Sequence, residues 1–568
     1  MDENLLPYIA AAALAAASLP ALRRRLQLSR AKHPSLAGHS RMAKLVARLV
    51  PSYDLDEATF FTADGAPAQV EARRRQGFAA LAETYRQRFA GTAAFTAAAA
   101  QGIPDLQFTA RYRVPFPFSR YVREHLKPGG FVRASEGSML VDLDGNRLYD
   151  LAGSYGVKLF NWDFYRECIE KGSDEVGALG PVLGQLHPVV ADNVRRLRAL
   201  SGLDEVSFHM SGTEAVMQAV RLARYHTRKR YLVRFNGAYH GWWEDVQPGV
   251  GNPLPPRETF TLKDMDEATL RVLETRADIA CVLVNPSQAL HPNASAFVDS
   301  ALVDSSRAPA FDRAAYSAWL ARLREVCTRR GIVLIIDDVF TGFRLARGGA
   351  QEYFGVRADL VTYGKSLGGG FPVGVVCGRR DLMKRFREDR PADICFARGT
   401  FNSHPYVMGA MKAFLDKLER PETKALYASL DETWNERAKA LNARFEEGKL
   451  PLRVANLSTI WTLFYTRPSR YNWMLQYYLR AEGLALPWTG SGRLIFSLDF
   501  PAADYEEVSE RILAAARKME GDGWWWEAPG LTDKAIRRAI FREMLRHGFF
   551  GPQPATSPAA PPAHASDR

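Results

Sequence analysis

The sequence predicts an α/β fold in which helices cover both faces of a largely parallel β-sheet. Between Val206 and Cys377, short apolar runs each end in turn or polar residues; they include VSFHM, YLVRF, ACVLV, IVLII and LVTY. The runs are apolar on both faces and alternate with helical patterns, which is typical of buried parallel strands. In such sheets ligands bind beyond the carboxyl ends of the strands, so the residues after each run are the candidate functional residues.

Length and composition indicate an ordinary globular protein of more than one unit. The 568 residues exceed one average domain, and the contents of 47% hydrophobic and 24% charged residues are common in such proteins. The formal net charge of +12 favours anionic partners. The five cysteines are odd in number and form no C-x-x-C pair, so neither a disulfide framework nor a zinc site is indicated, and a reducing cytoplasm fits.

The positive charge is concentrated near the N-terminus. Residues 22–50 contain no acidic side chain, and their basic residues are Arg23, Arg24, Arg25, Arg30, Lys32, Arg41, Lys44 and Arg48. A solvated basic face explains this pattern, and so does a surface that binds an anionic membrane or an acidic carrier protein. Nucleic acid is disfavoured as a partner because no known binding motif accompanies the charges.

An apolar segment, residues 5–22, precedes the basic stretch. It is rich in weakly apolar alanine and contains two prolines, so we expect a helix that packs on the protein or lies at a membrane surface. A single membrane anchor followed by three arginines is the alternative. Asp2 and Glu3 have the opposite sign to the basic start of a secretory signal.

Local patterns predict individual elements along the chain. A helix is expected to follow Pro67, and MLVDLDGNRLYDL alternates apolar and polar residues around Asp144-Gly145-Asn146, which predicts a hairpin. Further on, VSFHM ends in Ser211-Gly212-Thr213, which opens an amphipathic helix. Free N–H groups and a hydroxyl at a helix N-terminus suit a phosphate, although most such turns are simply N-caps.

Two more strand ends carry candidate binding residues. YLVRF is followed by Tyr239 and His240, and an aromatic ring at this edge can stack on a planar ligand or fill core space. IVLII is followed by Asp337 and Asp338, two carboxylates that are costly to bury without partners. A bound cation is the expected partner; a structural salt bridge and a metal pair are the alternatives.

The run LVTY ends in Gly364 and Lys365. This is not a nucleotide phosphate loop, because the position five residues before Gly364 is Asp359 rather than glycine. A phosphate turn, a stacking ring, a buried carboxylate and a lysine at one sheet edge are together what pyridoxal phosphate requires. The sequence therefore predicts a pyridoxal phosphate site in which Lys365 reacts with the aldehyde.

Five ordered motifs resemble the class III pyridoxal-phosphate aminotransferases, nearest to glutamate-1-semialdehyde aminomutase. The motifs are SGTEA, AYHG, LIIDDVFTGFR, YGKSLGGGFPVGVVCGRRDLM and RGTFNSHP, and the resemblance spans residues 120–521. It implies the type I fold, with a mostly parallel seven-stranded sheet in a large domain and a small domain built from both chain ends. It also implies a homodimer with active sites at the interface.

The resemblance assigns roles to residues of this sequence. Lys365 is implied to be the Schiff-base lysine, Asp337 to pair with the pyridine nitrogen, and Val339 and Tyr239 to pack on opposite ring faces. The implied remaining cofactor-binding residues are Ser211, Gly212, Thr213 and His240, together with Thr400, which would reach the phosphate of the neighbouring subunit.

Departures from the family pattern concern the substrate. Asn285 stands in VNP where the family usually has a glutamate that pairs with a gating arginine, and about twenty extra residues follow at 291–310. Candidate counterparts of the arginine that binds a substrate carboxylate are Arg120, with Ser119 beside it, and Arg493. An ordinary surface arginine is the alternative in both cases.

On this resemblance we predict the following regions. They are an accessory helical region (1–100), the N-terminal part of the small domain (101–175), the cofactor-binding large domain (176–415), the C-terminal part of the small domain (416–530), and a helical end with a disordered tail (531–568). The leading function is amino-group transfer from an amine donor to a carbonyl substrate through a pyridoxamine phosphate intermediate. The alternatives are an intramolecular aminomutase and a non-catalytic binding protein that keeps the fold.

Overall fold

The computed structural model describes residues 6–34, 36–247, 249–254, 256–291, 293, 305, 311–487 and 492–550, and their side chains except at 6–17, 37 and 548–550. The predictions for the C-terminal tail and for most of the extra residues at 291–310 lie outside the described residues.

Helices dominate the two ends of the chain and alternate with strands in the middle. The α-helices are α1 (Leu6–Ala31), α2 (Ser40–Leu49), α3 (Glu57–Phe60), α4 (Ala68–Arg88), α5 (Ala90–Ala99), α6 (Pro104–Tyr112), α7 (Phe116–His125), α8 (Trp162–Val176), α9 (Val189–Ser201), α10 (Gly212–Thr227), α11 (Glu267–Thr275), α12 (Arg313–Arg330), α13 (Ala350–Phe354), α14 (Arg380–Met383), α15 (Pro405–Glu419), α16 (Pro421–Ala428), α17 (Leu430–Glu447), α18 (Leu475–Ala481), α19 (Ala502–Gly521) and α20 (Asp533–Phe550). The strands are β1 (Val132–Glu136), β2 (Met139–Asp142), β3 (Arg147–Asp150), β4 (Glu205–His209), β5 (Tyr231–Phe235), β6 (Thr259–Leu262), β7 (Ile279–Val284), β8 (Val333–Asp337), β9 (Leu360–Gly364), β10 (Gly374–Gly378), β11 (Leu452–Leu457), β12 (Ile460–Tyr465), β13 (Leu484–Ala485) and β14 (Arg493–Ile495).

The central sheet has seven strands in the order β4-β10-β9-β8-β7-β5-β6. Only β10 runs antiparallel to its neighbours, β4 and β9, so the predicted mostly parallel sheet is confirmed. Every residue of β7, β8, β9 and β10 is buried, as their apolar character on both faces predicts. On one face lies α10, the predicted amphipathic helix, whose apolar residues Val216, Ala219, Val220 and Ala223 are buried.

Two smaller sheets join distant parts of the chain. The predicted hairpin forms from β2 and β3, with Met139 opposite Tyr149. On its other side β3 pairs in parallel with β13, so the N-terminal and C-terminal segments share one sheet of order β1-β2-β3-β13. The second sheet has the order β11-β12-β14.

The helices near the N-terminus contribute to the core rather than lying outside it. The Arg74 side chain of α4 is fully buried and forms an ion pair of 2.7 Å with Asp64. It also donates to the backbone oxygens of Phe61 (2.7 Å) and Gly523 (2.9 Å), and its guanidinium lies 4.5 Å from the ring centre of Tyr471. Helix α4 is therefore packed against the segment near the other end of the chain.

Two hydrogen bonds hold the C-terminal end of the first helix. Gln27 accepts a hydrogen bond of 3.2 Å from Thr275 of α11, and the oxygen of Ala31 accepts one of 2.8 Å from the Lys263 backbone. Among the described residues, no helix has both the length and the apolar character needed to cross a bilayer.

Candidate active site

The carboxyl ends of neighbouring strands bring the predicted site residues together. Asp337 is the last residue of β8 and lies opposite Thr362 in β9, and Lys365 directly follows β9. The first turn of α10 adjoins them, since a Cβ atom added to Gly212 would lie 2.6 Å from a methyl group of Val339. The loop after β5 reaches the same turn, because a Cβ on Gly241 would lie 2.5 Å from the Thr213 hydroxyl.

Lys365 is a largely buried amine to which the described residues offer no hydrogen-bond acceptor. Burial lowers its pKa, the charge of Asp337 opposes that shift, and the charges of Arg344 and Arg493 reinforce it. None of the residues that the structure describes accepts a hydrogen bond from Lys365 Nζ, which lies 5.5 Å from the ring centre of Phe340. Burial favours the neutral form of this amine, which is the nucleophilic form, so Lys365 is suited to covalent chemistry.

A second buried lysine shows the contrast. Lys158 Nζ lies 3.1 Å from the Asp150 carboxylate and donates a hydrogen bond of 2.7 Å to the Asp150 backbone oxygen. Its bonding capacity is therefore used by structural partners. Of these two buried lysines, only Lys365 has an amine that the surrounding protein leaves available.

Asp337 is held by three donors. His240 Nδ1 lies 2.7 Å from Oδ2, while the Val339 backbone N–H and the Thr362 hydroxyl each donate to Oδ1 at 3.2 Å. Burial lowers the pKa of His240 and the hydrogen bond to Asp337 opposes this shift. A neutral His240 that donates from Nδ1 fixes the orientation of the Asp337 carboxylate.

The charge of a buried arginine, to which the described residues offer no carboxylate partner, acts on this pair. Arg234 on β5 is fully buried, and its one described hydrogen bond is a long one of 3.5 Å from Nη1 to the Ala238 oxygen. Its Nε and Nη2, like His240 Nε2, are buried without a described partner. Burial lowers the pKa of Arg234 to about 10, and its positive charge contributes to lowering the pKa of His240.

The N-terminus of α10 combines a cap with free backbone donors. Ser211 Oγ accepts a hydrogen bond of 3.2 Å from the Glu214 N–H, and Glu214 in turn accepts one of 3.0 Å from the Met210 N–H. The N–H groups of Gly212 and Thr213 belong to the first helical turn, where no intrahelical acceptor exists. With the positive end of the helix dipole, these groups form a place for an anion such as a phosphate.

Tyr239 and Asn285 form one unit beside Asp337. Tyr239 is half exposed, and both its partial burial and the charge of Asp337 raise its pKa. Asn285 Nδ2 donates to the Tyr239 backbone oxygen at 2.8 Å, and Asn285 Oδ1 accepts from both the backbone and the hydroxyl of Ser287. The amide of Asn285 is thus used to position the Tyr239 loop, and the residue itself is buried.

The structure places the other candidate residues at different locations. The Arg493 guanidinium lies 5.7 Å from the ring centre of Phe340, the same ring that Lys365 approaches. Ser119 is buried in α7 and donates to the Arg111 oxygen, and the exposed Arg120 pairs with Glu124 at 3.3 Å. Of these candidates, only Arg493 has a described contact with a residue around Lys365. Thr400 is exposed in the loop before α15.

The second carboxylate of the strand end has a structural role. Asp338 accepts hydrogen bonds from the Thr341 hydroxyl (2.5 Å) and from the Ala350 N–H (2.7 Å). Burial raises its pKa to about 7, and the neighbouring charge of Asp337 adds to that shift. Asp338 therefore fixes the loop that follows β8, and Asp337 alone faces His240.

Sequence reasoning did not identify Arg234, Phe340 or Thr362. A signal for Arg234 is present, since it is a charged residue inside the otherwise apolar run YLVRF. Phe340 and Thr362 have no distinguishing signal, because an aromatic residue after a strand and a threonine within one are common.

The residues present fit pyridoxal phosphate. Three groups lack protein partners among the described residues: the amine of Lys365, the Nε2 atom of His240, and the N–H groups that begin α10. An amine for an aldehyde, a carboxylate for a pyridinium and backbone donors for a phosphate are the functional groups that this cofactor requires.

Comparison with known proteins gives consistent matches. The model of the family described as "Aminotransferase class-III" matches residues 121–512. A glutamate-1-semialdehyde 2,1-aminomutase of Methanocaldococcus jannaschii is 31% identical over 374 residues, covering 62% of this chain and 78% of that protein. A solved transaminase with PLP bound is 25% identical, with a TM-score of 0.61 and coverage of 76% and 98% of the two chains. A glutamate-1-semialdehyde aminomutase structure from Pseudomonas aeruginosa, at 18% identity and coverage of 79% and 99%, has a TM-score of 0.61 and supports the fold.

Proposed function

This chain belongs to the class III aminotransferase family of pyridoxal-phosphate-dependent enzymes, and on that premise we propose that Lys365 and Asp337 carry its amino-group transfer. The substrates are a small-molecule amine donor and a carbonyl acceptor. The observation that carries the proposal is that two groups lie at the same sheet edge. They are the largely buried Lys365 amine, which no described residue binds, and the buried Asp337 carboxylate.

Each protein group has a defined task in this proposal. When bound, the cofactor supplies an aldehyde that takes up the amino group and an electron-poor ring that stabilises negative charge on the substrate carbon. Asp337 would hold a proton on the ring nitrogen, and His240 orients Asp337. Lys365 Nζ, with its lowered pKa, accepts the proton that leaves the substrate carbon and returns it at the acceptor carbon.

Binding is divided among the residues around that centre. Gly212 and Thr213, capped by Ser211, hold the phosphate through their backbone N–H groups. Val339, beside Gly212, and Tyr239, near Asp337, would hold the cofactor ring from its two faces. Arg493 is the proposed contact for a substrate carboxylate, because its guanidinium and the Lys365 amine approach the same phenylalanine ring. We further propose a homodimer in which Thr400 reaches the neighbouring subunit's phosphate.

Intramolecular amino transfer of the aminomutase kind is the second candidate. The 31% identity to a glutamate-1-semialdehyde 2,1-aminomutase favours it. An amino-donor requirement separates the two reactions, because a mutase needs no external donor. Product formation from a carbonyl substrate only when an amine is added supports transamination, and product formation without any amine supports the mutase.

The proposed function is tested through the absorption of the bound cofactor. Addition of an effective amine donor is expected to shift the absorption of the purified protein, and Lys365→Ala is expected to abolish that shift. Lys384→Ala, at an exposed lysine paired with Glu388, is the matched control and should behave as wild type. Absorption that stays unchanged across a panel of donors would contradict the proposal and favour a non-catalytic binding protein.

The remaining proposals concern organisation and location. We propose that residues 176–415 form the cofactor-binding domain, that 101–175 and 416–530 form the smaller one, and that 1–100 is an accessory region. We also propose a cytoplasmic protein that docks on an anionic partner, a membrane surface or an acidic carrier, through the basic residues at 22–50.

A further inference from the structure

Two helices near the N-terminus expose stripes of large apolar side chains. Every residue from 18 to 26 in α1 is exposed. The exposed apolar residues of α1 are Leu19 (47%), Leu22 (55%) and Leu26 (50%), and those of α2 are Met42 (53%), Leu45 (53%) and Leu49 (73%). In both helices the spacing of three and then four residues places the side chains on one face.

Basic side chains border both stripes. Arg23, Arg24 and Arg25 interrupt the stripe of α1, and Arg41 and Arg48 flank that of α2. Residues 22–50 contain no acidic residue, so no negative charge within this stretch neutralises them. An apolar stripe with Lys and Arg beside it is the pattern of helices that lie in a bilayer interface.

The last described helix presents the same combination. Ile536, Ile540 and Glu543 of α20 face the protein: Ile536 is buried, Ile540 packs against the core, and Glu543 pairs with Arg470 at 2.6 Å. The residues two positions away from this inner face lie about 200° around the helix and are therefore on the opposite side. This outer face contains Phe541 (58% exposed) and Leu545 (41%), with the exposed basic residues Lys534, Arg538, Arg542 and Arg546 around them.

The C-terminal ends of α2 and α20 lie close together. Tyr53, four residues after the end of α2, stacks on His547 of α20 with ring centres 4.6 Å apart. Its hydroxyl also donates a hydrogen bond of 3.0 Å to Glu543. The four residues between the end of α2 and Tyr53 span at most about 14 Å. The end of α2 therefore lies near α20, and the two helices bring their cationic and apolar side chains to one region of the molecule.

We propose that the exposed faces of α1, α2 and α20 dock this protein onto a bilayer that contains anionic phospholipid. This inference rests on the docking part of the proposed function and commits it to a lipid partner with a second, C-terminal contact. The leucines and Phe541 enter the acyl–headgroup boundary, while the arginines bind the headgroup phosphates.

The exposed apolar stripes favour a bilayer over the alternatives. A nucleic acid satisfies the arginines but offers no apolar medium to the six exposed residues of α1 and α2. An acidic carrier protein would have to cover stripes on three separate helices. A bilayer offers negative charge and an apolar layer over an area much larger than the protein, so it can contact the basic and the apolar side chains of all three helices at once.

Co-sedimentation of the full-length, cofactor-loaded protein with vesicles tests the inference. Vesicles of phosphatidylcholine mixed with phosphatidylserine should bind the protein, pure phosphatidylcholine vesicles should bind it far more weakly, and added salt should weaken the binding. Arg538→Gln with Arg542→Gln is expected to lower partitioning roughly 30-fold, because each arginine near an anionic surface raises partitioning about fivefold. Phe541→Ser with Leu545→Ser and, on α2, Leu45→Ser with Leu49→Ser should also weaken it.

A matched control changes the charge equally at another surface. Arg329→Gln with Arg380→Gln removes two exposed arginines that pair with Glu274 and Glu205. This variant should partition as wild type, and far-ultraviolet circular dichroism should show all variants folded. Binding that falls equally in this control, or that survives the α20 substitutions, would overturn the proposal of a specific surface.

The outcomes separate this inference from the proposed reaction. If the cofactor absorption responds to amine donors but anionic vesicles do not sediment the protein, the lipid inference is wrong and the reaction stands. If vesicles bind but the absorption does not respond, the reaction is wrong and the docking stands. Binding to an acidic protein or an oligonucleotide with none to vesicles would overturn the choice of lipid.

Discussion

Arg74→Met should destabilise the whole fold, although Arg74 lies before the first residue of the family match, Tyr121. The substitution removes an ion pair in which the side chains of Arg74 and Asp64 are 0% and 1% exposed. It leaves the Asp64 carboxylate buried without its cation and removes a donor from the Gly523 oxygen. Loss of one partner of a buried pair costs about 3–5 kcal/mol of the free energy of unfolding.

Urea unfolding followed by tryptophan fluorescence measures this loss, and the neighbouring arginine is the control. Arg75 pairs with Glu57 and Glu71 on the surface, with its side chain 36% exposed, so Arg75→Met should cost less than about 1 kcal/mol. Equal effects of the two substitutions, or a separate early transition in Arg74→Met with the main transition unchanged, would refute the conclusion that the N-terminal helices are part of the common core.

Three further predictions concern the site and its surroundings. Gly212→Ala places a Cβ 2.6 Å from a Val339 methyl group, and this overpacking should lower the free energy of unfolding by about 1–3 kcal/mol in urea unfolding; unchanged stability would contradict the packing. Burial raises the pKa of Asp264 to about 7, so the folded state holds more protons than the unfolded state between about pH 4 and 7 and loses stability as pH rises through that window. Asp264→Asn should therefore gain about 3 kcal/mol more over wild type at pH 8 than at pH 5 in urea unfolding, and a gain independent of pH would show the carboxyl to be ionised throughout. Arg234→Met removes a buried charge whose pKa is about 10, so it should stabilise the fold by up to about 3 kcal/mol and raise the pKa of His240 measured by NMR; a loss of stability would reveal a partner for the guanidinium.

The sequence was sufficient to predict the central sheet and the segments at its edge. Lys365, Asp337 and Tyr239 each follow an apolar run, and apolar runs alternating with helices specify a parallel sheet whose carboxyl ends meet. The predicted fold class, cofactor and family membership are confirmed. The individual roles of the site residues stay predictions.

Contacts that depend on strand order could not be predicted. His240 and Asp337 are 97 residues apart, and the strands that precede them, β5 and β8, are separated in the sheet by β7. No local pattern encodes that order, so the partner of the carboxylate could not be chosen from the sequence. Asn285 is a similar case, because its bond to the Tyr239 oxygen depends on the loops after two neighbouring strands.

The burial of Arg74 in α4 could not be predicted from the sequence for a different reason. Arg74 is one of three consecutive arginines in α4, and nothing in ARRRQG distinguishes the buried one from the exposed ones. Its burial depends on Asp64 and on a backbone oxygen 449 residues away. Charged side chains are rarely buried without a partner, so the sequence alone predicts that each of these arginines lies on the surface.

The central claim, that Lys365 is the residue to which the cofactor binds covalently, is tested most directly by borohydride reduction of the purified protein followed by peptide mass spectrometry. Reduction should leave one phosphopyridoxyl group on the peptide that contains Lys365 and none on the peptide that contains the buried Lys158. An adduct on Lys158 or on surface lysines, with Lys365 unmodified, would contradict the assignment of the reactive amine.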